Sequence, residues 1–343
     1  MATHLRFKQH LRFLREGEVI RVVRALDGEA TLPSGEGFDH LLAALEGSPE
    51  ENSLRADLSQ RMNVDAPMID GLLNKLYELK LIERFDPEEK RFARFDRQLL
   101  LFDALQPADD HAENIARQQR LKDAHVLVLG LGGIGHQVAL SLVAAGVGSI
   151  TLVDGDVVEE SNLHRQILFT PADVDGNKVA KARNALERIA PECLIHTTNR
   201  TIRNAEDWRQ LTADYPSVRH VMLCADKPVQ LVNWISDART EFNYHFIKCG
   251  YMSAQGLIGP LLGPDTKGYE ELFSSWGPLI DAQPENIKAF NSRSTAPTMA
   301  ASNAIMANIA ALEMIKHITG IGELTLLGKR LLLDLNTYTT HFG

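Results

Sequence analysis

The sequence has few cysteines and no excess of basic residues, and both shortages narrow its class. Its three cysteines, Cys193, Cys224 and Cys249, are scattered, with no Cys-x-x-Cys pair among them. That fits a reducing cytoplasm rather than a disulfide-stapled domain. Acidic side chains outnumber basic ones, 45 to 36, for a formal charge of −9 and a pI near 5.8. A nucleic-acid binder normally carries the opposite excess, so no nucleic-acid partner is expected. No apolar run approaches the roughly 18 residues of a membrane span. The opening Met1-Ala2-Thr3-His4-Leu5 lacks a basic-then-apolar signal segment. The expectation is a cytoplasmic protein with no membrane partner. The apolar fraction of 44% is ordinary, and 343 residues are enough for two domains.

What is present centres on residues 126–178. The apolar run Val126-Leu127-Val128-Leu129 leads into Gly130-Leu131-Gly132-Gly133-Ile134-Gly135. A helical pattern follows, with Val138, Leu142 and Val143 on one side. A second apolar run, Ile150-Thr151-Leu152-Val153, ends in Asp154-Gly155-Asp156. Glycines at such a turn let backbone approach a nucleotide, and the N–H groups opening the next helix favour anionic phosphate. Asp154 lies roughly 20 residues beyond the glycines, where a carboxylate can accept from ribose hydroxyls. The glycine pattern alone leaves NAD, FAD and a purely structural tight turn open.

The residues that follow point to a triphosphate. Asn162, Arg165 and Gln166 are spaced i, i+3, i+4, so one helical turn puts them on one face. Arg165 can neutralise phosphate oxygens, and Lys178, just before a helical stretch (Val179, Ala182, Leu186, Ile189), can reach the same phosphates. A dinucleotide dehydrogenase has no need of these groups there. Further on, the strand Arg219–Leu223 ends at Cys224-Ala225-Asp226. Ligands in open α/β sheets gather at the carboxyl ends of strands, which places Asp226 for Mg²⁺. The alternative is that Asp226 caps a helix over Pro228–Arg239.

Taken in order, these motifs resemble the ATP-dependent adenylating family of ThiF, MoeB and the ubiquitin-activating enzymes. Arg94-Phe95-Asp96-Arg97-Gln98 resembles that family's Arg-Tyr-x-Arg-Gln entry segment, and the resemblance covers roughly residues 91–335. It implies ATP and Mg²⁺ as cofactors. It implies a nucleotide site formed by Gly130, Gly132, Gly133, Gly135, Asp154, Asp156, Asn162, Arg165, Gln166 and Lys178. It assigns catalytic roles to Arg165, Lys178, Asp226 and Arg97, with Asp226 holding the metal. In family dimers the residue that Arg97 resembles reaches the neighbouring active site, so a homodimer is expected. Ala225-Asp226-Lys227-Pro228, Asn233-Trp234 and Gly250-Tyr251 resemble the MccB-like subgroup that acts on ribosomally made peptides. In that subgroup the activated carboxylate leads to a modified C-terminal amide, and in the pantocin type a glutamate side chain is cyclised.

Two family features are missing. The long polar segment 264–298 occupies the place where ubiquitin-activating enzymes carry a catalytic cysteine, yet it has none. Many relatives hold zinc with two Cys-x-x-Cys pairs, and three scattered thiols cannot supply such a site, so no zinc is expected.

Residues 1–90 read as a separate small domain, with 91–343 as the adenylation domain. Strands around Leu5–Leu14 and Glu18–Val23 precede helices over Phe38–Leu45, Leu54–Met62 and Met68–Leu79, with Asp65 as a cap and Pro67 in the first turn. Leu81–Phe85 reads as a wing strand. The third helix (Asp70, Asn74, Lys75, Glu78) is not basic enough to read DNA. The remaining readings are a packing or dimerisation appendage and a clamp that takes up a leader peptide as an added strand. Phe246–Gly250 and Gly256–Gly263 read as antiparallel additions to the sheet. The expected fold class is α/β, a Rossmann-like mixed sheet with helices on both faces, preceded by a winged-helix-like α+β domain. Alternatives to peptide activation are adenylation of a sulfur-carrier or ubiquitin-like C-terminus, an NAD-dependent oxidoreductase, and a non-catalytic peptide clamp.

Overall fold

The computed structural model describes residues 3–23, 30–90, 92–273, 279, 282–291 and 297–343. The chain divides into two compact units, Met1–Gln119 and Arg120–Gly343.

The first unit opens with β1 (His4–Phe7), β2 (Arg12–Glu16), β3 (Val19–Val23) and β4 (Ala30–Pro33). Helices α1 (Glu36–Glu46), α2 (Glu51–Met62) and α3 (Ala66–Glu78) follow, then β5 (Ile82–Phe85). β1 pairs antiparallel with β5, and β2-β3-β4 form a separate antiparallel sheet that turns at Gly17. β4 was not anticipated, because Ala-Thr-Leu-Pro is short and ends in a residue that removes a ladder donor. The three helices bury one stripe each: Phe38, Leu41 and Leu45; Leu54 and Leu58; Ile69, Leu73 and Leu76. Asp65 caps α3 by accepting from the Met68 N–H at 3.1 Å.

Helix α4 (Asp96–Leu105) and the start of α5 (His111–Asp123) belong to this unit as well. A buried ion pair ties α4 to the segment after β1. Lys8 and Asp103 are each 2% exposed. The Lys8 Nζ donates to both Asp103 oxygens at 2.7 and 2.8 Å and to the Ala108 carbonyl. The Ala108 N–H donates back to Asp103 at 2.9 Å. The contact boundary therefore falls inside α5, well beyond the polar linker at Asp86–Lys90 that suggests a division at residue 90.

The second unit is a single eight-stranded sheet. Its strands are β6 (His125–Leu129), β7 (Ser149–Val153), β8 (Leu194–Thr198), β9 (His220–Leu223), β10 (His245–Met252), β11 (Gln255–Leu262), β12 (Leu331–Asp334) and β13 (Thr340–Phe342), in the order β13-β12-β11-β10-β9-β6-β7-β8. β6 to β10 run parallel, and β11 is the first antiparallel strand. This corrects the expectation for Phe246–Gly250: β10 extends the parallel set, and the antiparallel additions begin one strand later. The helices are α6 (Gly135–Ala144), α7 (Lys178–Ile189), α8 (Ala205–Asp214), α9 (Leu231–Ala238), α10 (Tyr269–Leu272), α11 (Glu285–Asn291) and α12 (Ala300–Thr319). Arg293, in the long polar segment, lies outside the described residues.

Side-chain alternation along β6 fills two cores. Val126 and Val128 pack with Ile150, Leu152, Leu142 and Met306 on one face. Leu127 and Leu129 pack with Trp208, Val221, Ile235 and Phe246 on the other. A sheet covered on both faces reads as continuous apolar strands, and β6 does.

At the amino ends of β9 and β10, His220 and His245 pack against His317, the first edge to face with ring centroids 5.5 Å apart and the second tilted at 4.1 Å. Burial pushes the His220 imidazole down to about 3 and that of His317 down to about 4. Burial likewise lowers His125 to about 4.

Two outcomes follow. In urea unfolding, Asp103→Ala should cost the first unit about 3–5 kcal/mol by stranding the Lys8 charge, and a Lys8→Met/Asp103→Leu double variant should recover most of it. Below the ordinary histidine value of 6.5 the unfolded chain binds protons that the folded histidines refuse. Stability is therefore fully present above pH 6.5 and falls toward pH 4, by at least about 1 kcal/mol between pH 7 and 5.

Candidate functional site

The strands β6, β7 and β9 end level with one another, since Leu129 pairs with both Val153 and Leu223. The chain crosses from β8 back to β9 on the other side of β6, so this is the topological switch point where α/β sheets hold ligands. A cavity of about 310 Å³ opens there. Among its lining residues are Gly130, Gly132, Asp154, Asp156, Lys178 and Asp226.

The glycine turn is shaped by backbone contact. Gly130 has φ +89°, and a side chain there would press on the Ala225 backbone nitrogen at 2.8 Å. A Cβ on Gly135, at the start of α6, would stand 1.7 Å from the Gly130 carbonyl oxygen. A Cβ on Gly132 would meet nothing within 4 Å among the described residues, so this residue presents bare backbone to the cavity. Gly133 faces away from it, toward Asn303 and Arg165.

Asp154 organises the turn. One carboxylate oxygen accepts from the Leu131 N–H at 2.6 Å, and the other from the Asp156 N–H at 2.8 Å. Lys178 is the first residue of α7, behind its cap Asn177, which accepts from the Ala180 N–H. The Lys178 ammonium is buried and reaches the exposed Asp156 carboxylate at 3.0 Å. Asp226 is exposed and makes no ion pair among the described residues. It caps nothing: α9 begins at Leu231 with Gln230 at its cap position, so the helix-cap alternative fails.

Asn162, Arg165 and Gln166 do share one turn, as both the Arg165 and Gln166 N–H groups donate to the Asn162 carbonyl. They do not line the cavity. Asn162 is buried and its side-chain oxygen accepts from the Glu159 N–H at 3.2 Å. Gln166 is 2% exposed and its Oε1 has no hydrogen-bond partner among the described residues. Arg165 donates to the Ser161 carbonyl at 2.6 Å. Arg97 sits exposed on α4 in the first unit.

The sequence reading missed several neighbours. His136 Nδ1 donates to the Gly132 carbonyl at 2.9 Å and its Nε2 accepts from the Ile167 N–H at 3.2 Å. It thereby joins the glycine turn to the segment carrying Arg165. Burial lowers its pKa, and the neutral ring is the form this pairing requires. Arg200, Thr201 and Lys227 also line the cavity. No motif marked them, since their role comes from where the strand ends meet. Cys193 and Cys249 are buried and Cys224 is half-buried. Burial pushes Cys193 and Cys224 up to about 12 and Cys249 well above the ordinary range.

These elements form a cavity at the carboxyl ends of the strands of a Rossmann-like sheet, where α/β folds hold ligands. Residues 95–342 match the model of the ThiF family. The sulfur carrier protein ThiS adenylyltransferase of Escherichia coli is 30% identical over 69% of this chain and 87% of its own length. The probable adenylyltransferase/sulfurtransferase MoeZ of Mycobacterium tuberculosis is 32% identical, and this chain spans 57% of its length. Among solved structures, E. coli MccB with AMPCPP and MccA superposes with a TM-score of 0.79 at 25% identity, covering 99% of this chain and 96% of that one. A selenomethionine form of PaaA superposes with a TM-score of 0.75 at 23% identity, a likeness of fold, over 97% of this chain and 98% of that one. The chain belongs to the ThiF family. It is an ATP-dependent adenylating enzyme.

The glycines give a direct check. Gly135→Ala should lower the unfolding free energy by about 1–3 kcal/mol or more, because backbone must move. Gly132→Ala should leave the thermal midpoint within a degree or two, since its Cβ enters open space. Differential scanning calorimetry of the two variants distinguishes them.

Proposed function

We propose that this enzyme adenylates a carboxylate on a ribosomally made precursor peptide, as one step of that peptide's modification. The observation that carries the reading is coverage. Likeness to MccB, solved with the MccA peptide, extends over 99% of the chain and so includes the first unit. The match to the ThiS adenylyltransferase covers 69% of it. A sulfur-carrier activator has no evident use for the extra unit, whereas a peptide enzyme needs a way to hold its substrate. β2 and β4 are edge strands of a three-stranded sheet, and an extended leader peptide can add to such an edge.

The mechanism follows from charge. A carboxylate oxygen attacks the α-phosphorus of ATP, the bond to pyrophosphate breaks, and an acyl adenylate forms. Both reactants are anions, so the site must offset their repulsion. Lys178 is the cation of the cavity wall for the phosphates, and Arg165, which lies against the glycine turn at Gly133 and outside the cavity lining, joins it only by turning toward bound ATP. Arg97 acts from the partner of a homodimer. The Gly132 backbone and the amino end of α6 take the phosphate oxygens, and Asp154 takes the ribose. Asp226 suits a Mg²⁺ that enters with ATP. It is exposed in the cavity and makes no ion pair among the described residues, and Mg²⁺ takes one or two carboxylates alongside phosphate oxygens. Among the described residues no group of three or more His, Cys, Asp or Glu side chains forms an all-protein metal cage. When bound, the cation supplies charge stabilisation on the phosphates.

The competing reading is adenylation of a sulfur carrier's C-terminus, favoured by the 30–32% identity to enzymes of that kind. Product analysis with Mg-ATP separates the two. AMP and pyrophosphate should appear with a full precursor peptide and not with the same peptide lacking its leader. Turnover with a Gly-Gly-ended carrier protein alone would overturn the peptide reading. Asp226→Ala should lower AMP formation by at least about a hundredfold while leaving leader-peptide affinity unchanged.

A further inference from the structure

Lys248 lies in the middle of β10, on the same face of the sheet as the nucleotide cavity. It pairs in register with Leu223, three residues before Asp226. Its neighbours Ile247 and Cys249 point into the opposite core, so Lys248 projects toward the face that carries Leu129, Phe246 and Tyr269. Its ammonium stands 5.4 Å from the centre of the Tyr269 ring. Arg330, just before β12, reaches the same place. Its guanidinium donates to the Tyr269 hydroxyl at 2.6 Å and lies 4.1 Å from the centre of the Phe273 ring.

Two cations thus converge on one aromatic-lined spot, and neither makes an ion pair among the described residues. Burial, with Arg330 adding to it, lowers Lys248 to about 8, while the Asp226 carboxylate pulls the other way. A half-buried ammonium beside a second cation is costly unless an anion completes it. The aromatic faces offset only part of that cost. The chemistry of the enzyme brings one anion to this end of the sheet besides ATP, the carboxylate that attacks phosphorus. An ammonium and a planar guanidinium are the groups that hold a carboxylate.

We propose that Lys248 and Arg330 form the carboxylate-binding subsite of the acyl substrate, beside Asp226, and hold the attacking group against the repulsion of the triphosphate. The subsite rests on the adenylation reading, and it takes a peptide carboxylate or a carrier-protein carboxylate alike. Lys248 keeps its proton and loses no bond in the step; it orients the oxygen that attacks.

The test is a two-substrate titration of AMP formation, with wild type, Lys248→Met and Lys248→Arg, over ranges of precursor peptide and Mg-ATP. Lys248→Met should raise the peptide KM by about tenfold or more, the size of a lost charge-assisted contact. The ATP KM should move by less than about twofold, and Lys248→Arg should restore most of the peptide affinity. Removing an uncompensated charge should leave the unfolding midpoint unchanged or raised. A rise in the ATP KM alone would overturn the subsite by assigning the cations to the phosphates. Unchanged constants, or a lowered midpoint as the only effect, would overturn it in favour of a structural lysine. If wild type makes no AMP with any peptide but does so with a Gly-Gly-ended carrier, the peptide reading fails. The same titration with the carrier then decides the subsite, by whether Lys248→Met raises the carrier KM.

Discussion

The site depends on backbone packed directly against backbone where three parallel strands end. Gly135 touches the Gly130 carbonyl, and Gly130 touches the Ala225 nitrogen at the end of the neighbouring strand. No side chain fits between them, so the turn after β6 is held against the segment that carries Asp226. Asp154 completes the arrangement from the other side by accepting from Leu131. The glycine turn, Asp154 and the segment that carries Asp226 are thus fixed by one packing constraint and not by three separate ones.

Around that constraint the charges sort by burial. Lys178 is buried with its partner Asp156 exposed, which leaves a cation at the cavity wall. Asp226 is open to the cavity. Lys248 and Arg330 sit farther along the same face and make no ion pair among the described residues. The proposed reaction between two anions calls for cations distributed in this way.

Much of this was legible in the sequence because local patterns carried it. The glycines, the apolar run of β6, Asp154, Lys178 and Asp226 stand at strand and helix ends that alternation and spacing locate. The Asp65 cap and the α3 start were legible for the same reason. What was not legible depends on contacts between distant segments. His136 reads as an ordinary polar residue on a helix until Ile167 is seen to donate to it. Lys8 and Asp103 are 95 residues apart, and their burial moves the contact boundary past the obvious polar linker. Residues Phe246–Gly250 read locally as a strand, but their sequence does not say that β10 runs parallel. Its direction is set by pairing with β9, which no local signal encodes. Lys248 drew no notice, since a lysine among apolar strand residues has no motif.

The most direct measurement follows one oxygen. A precursor peptide labelled with ¹⁸O in the carboxylate to be activated is converted with unlabelled Mg-ATP, and the AMP is weighed by mass spectrometry. If the carboxylate attacks the α-phosphorus, one ¹⁸O passes to AMP when the acyl group moves on. Label in inorganic phosphate with formation of ADP, or AMP with no label, would contradict acyl adenylation by this enzyme.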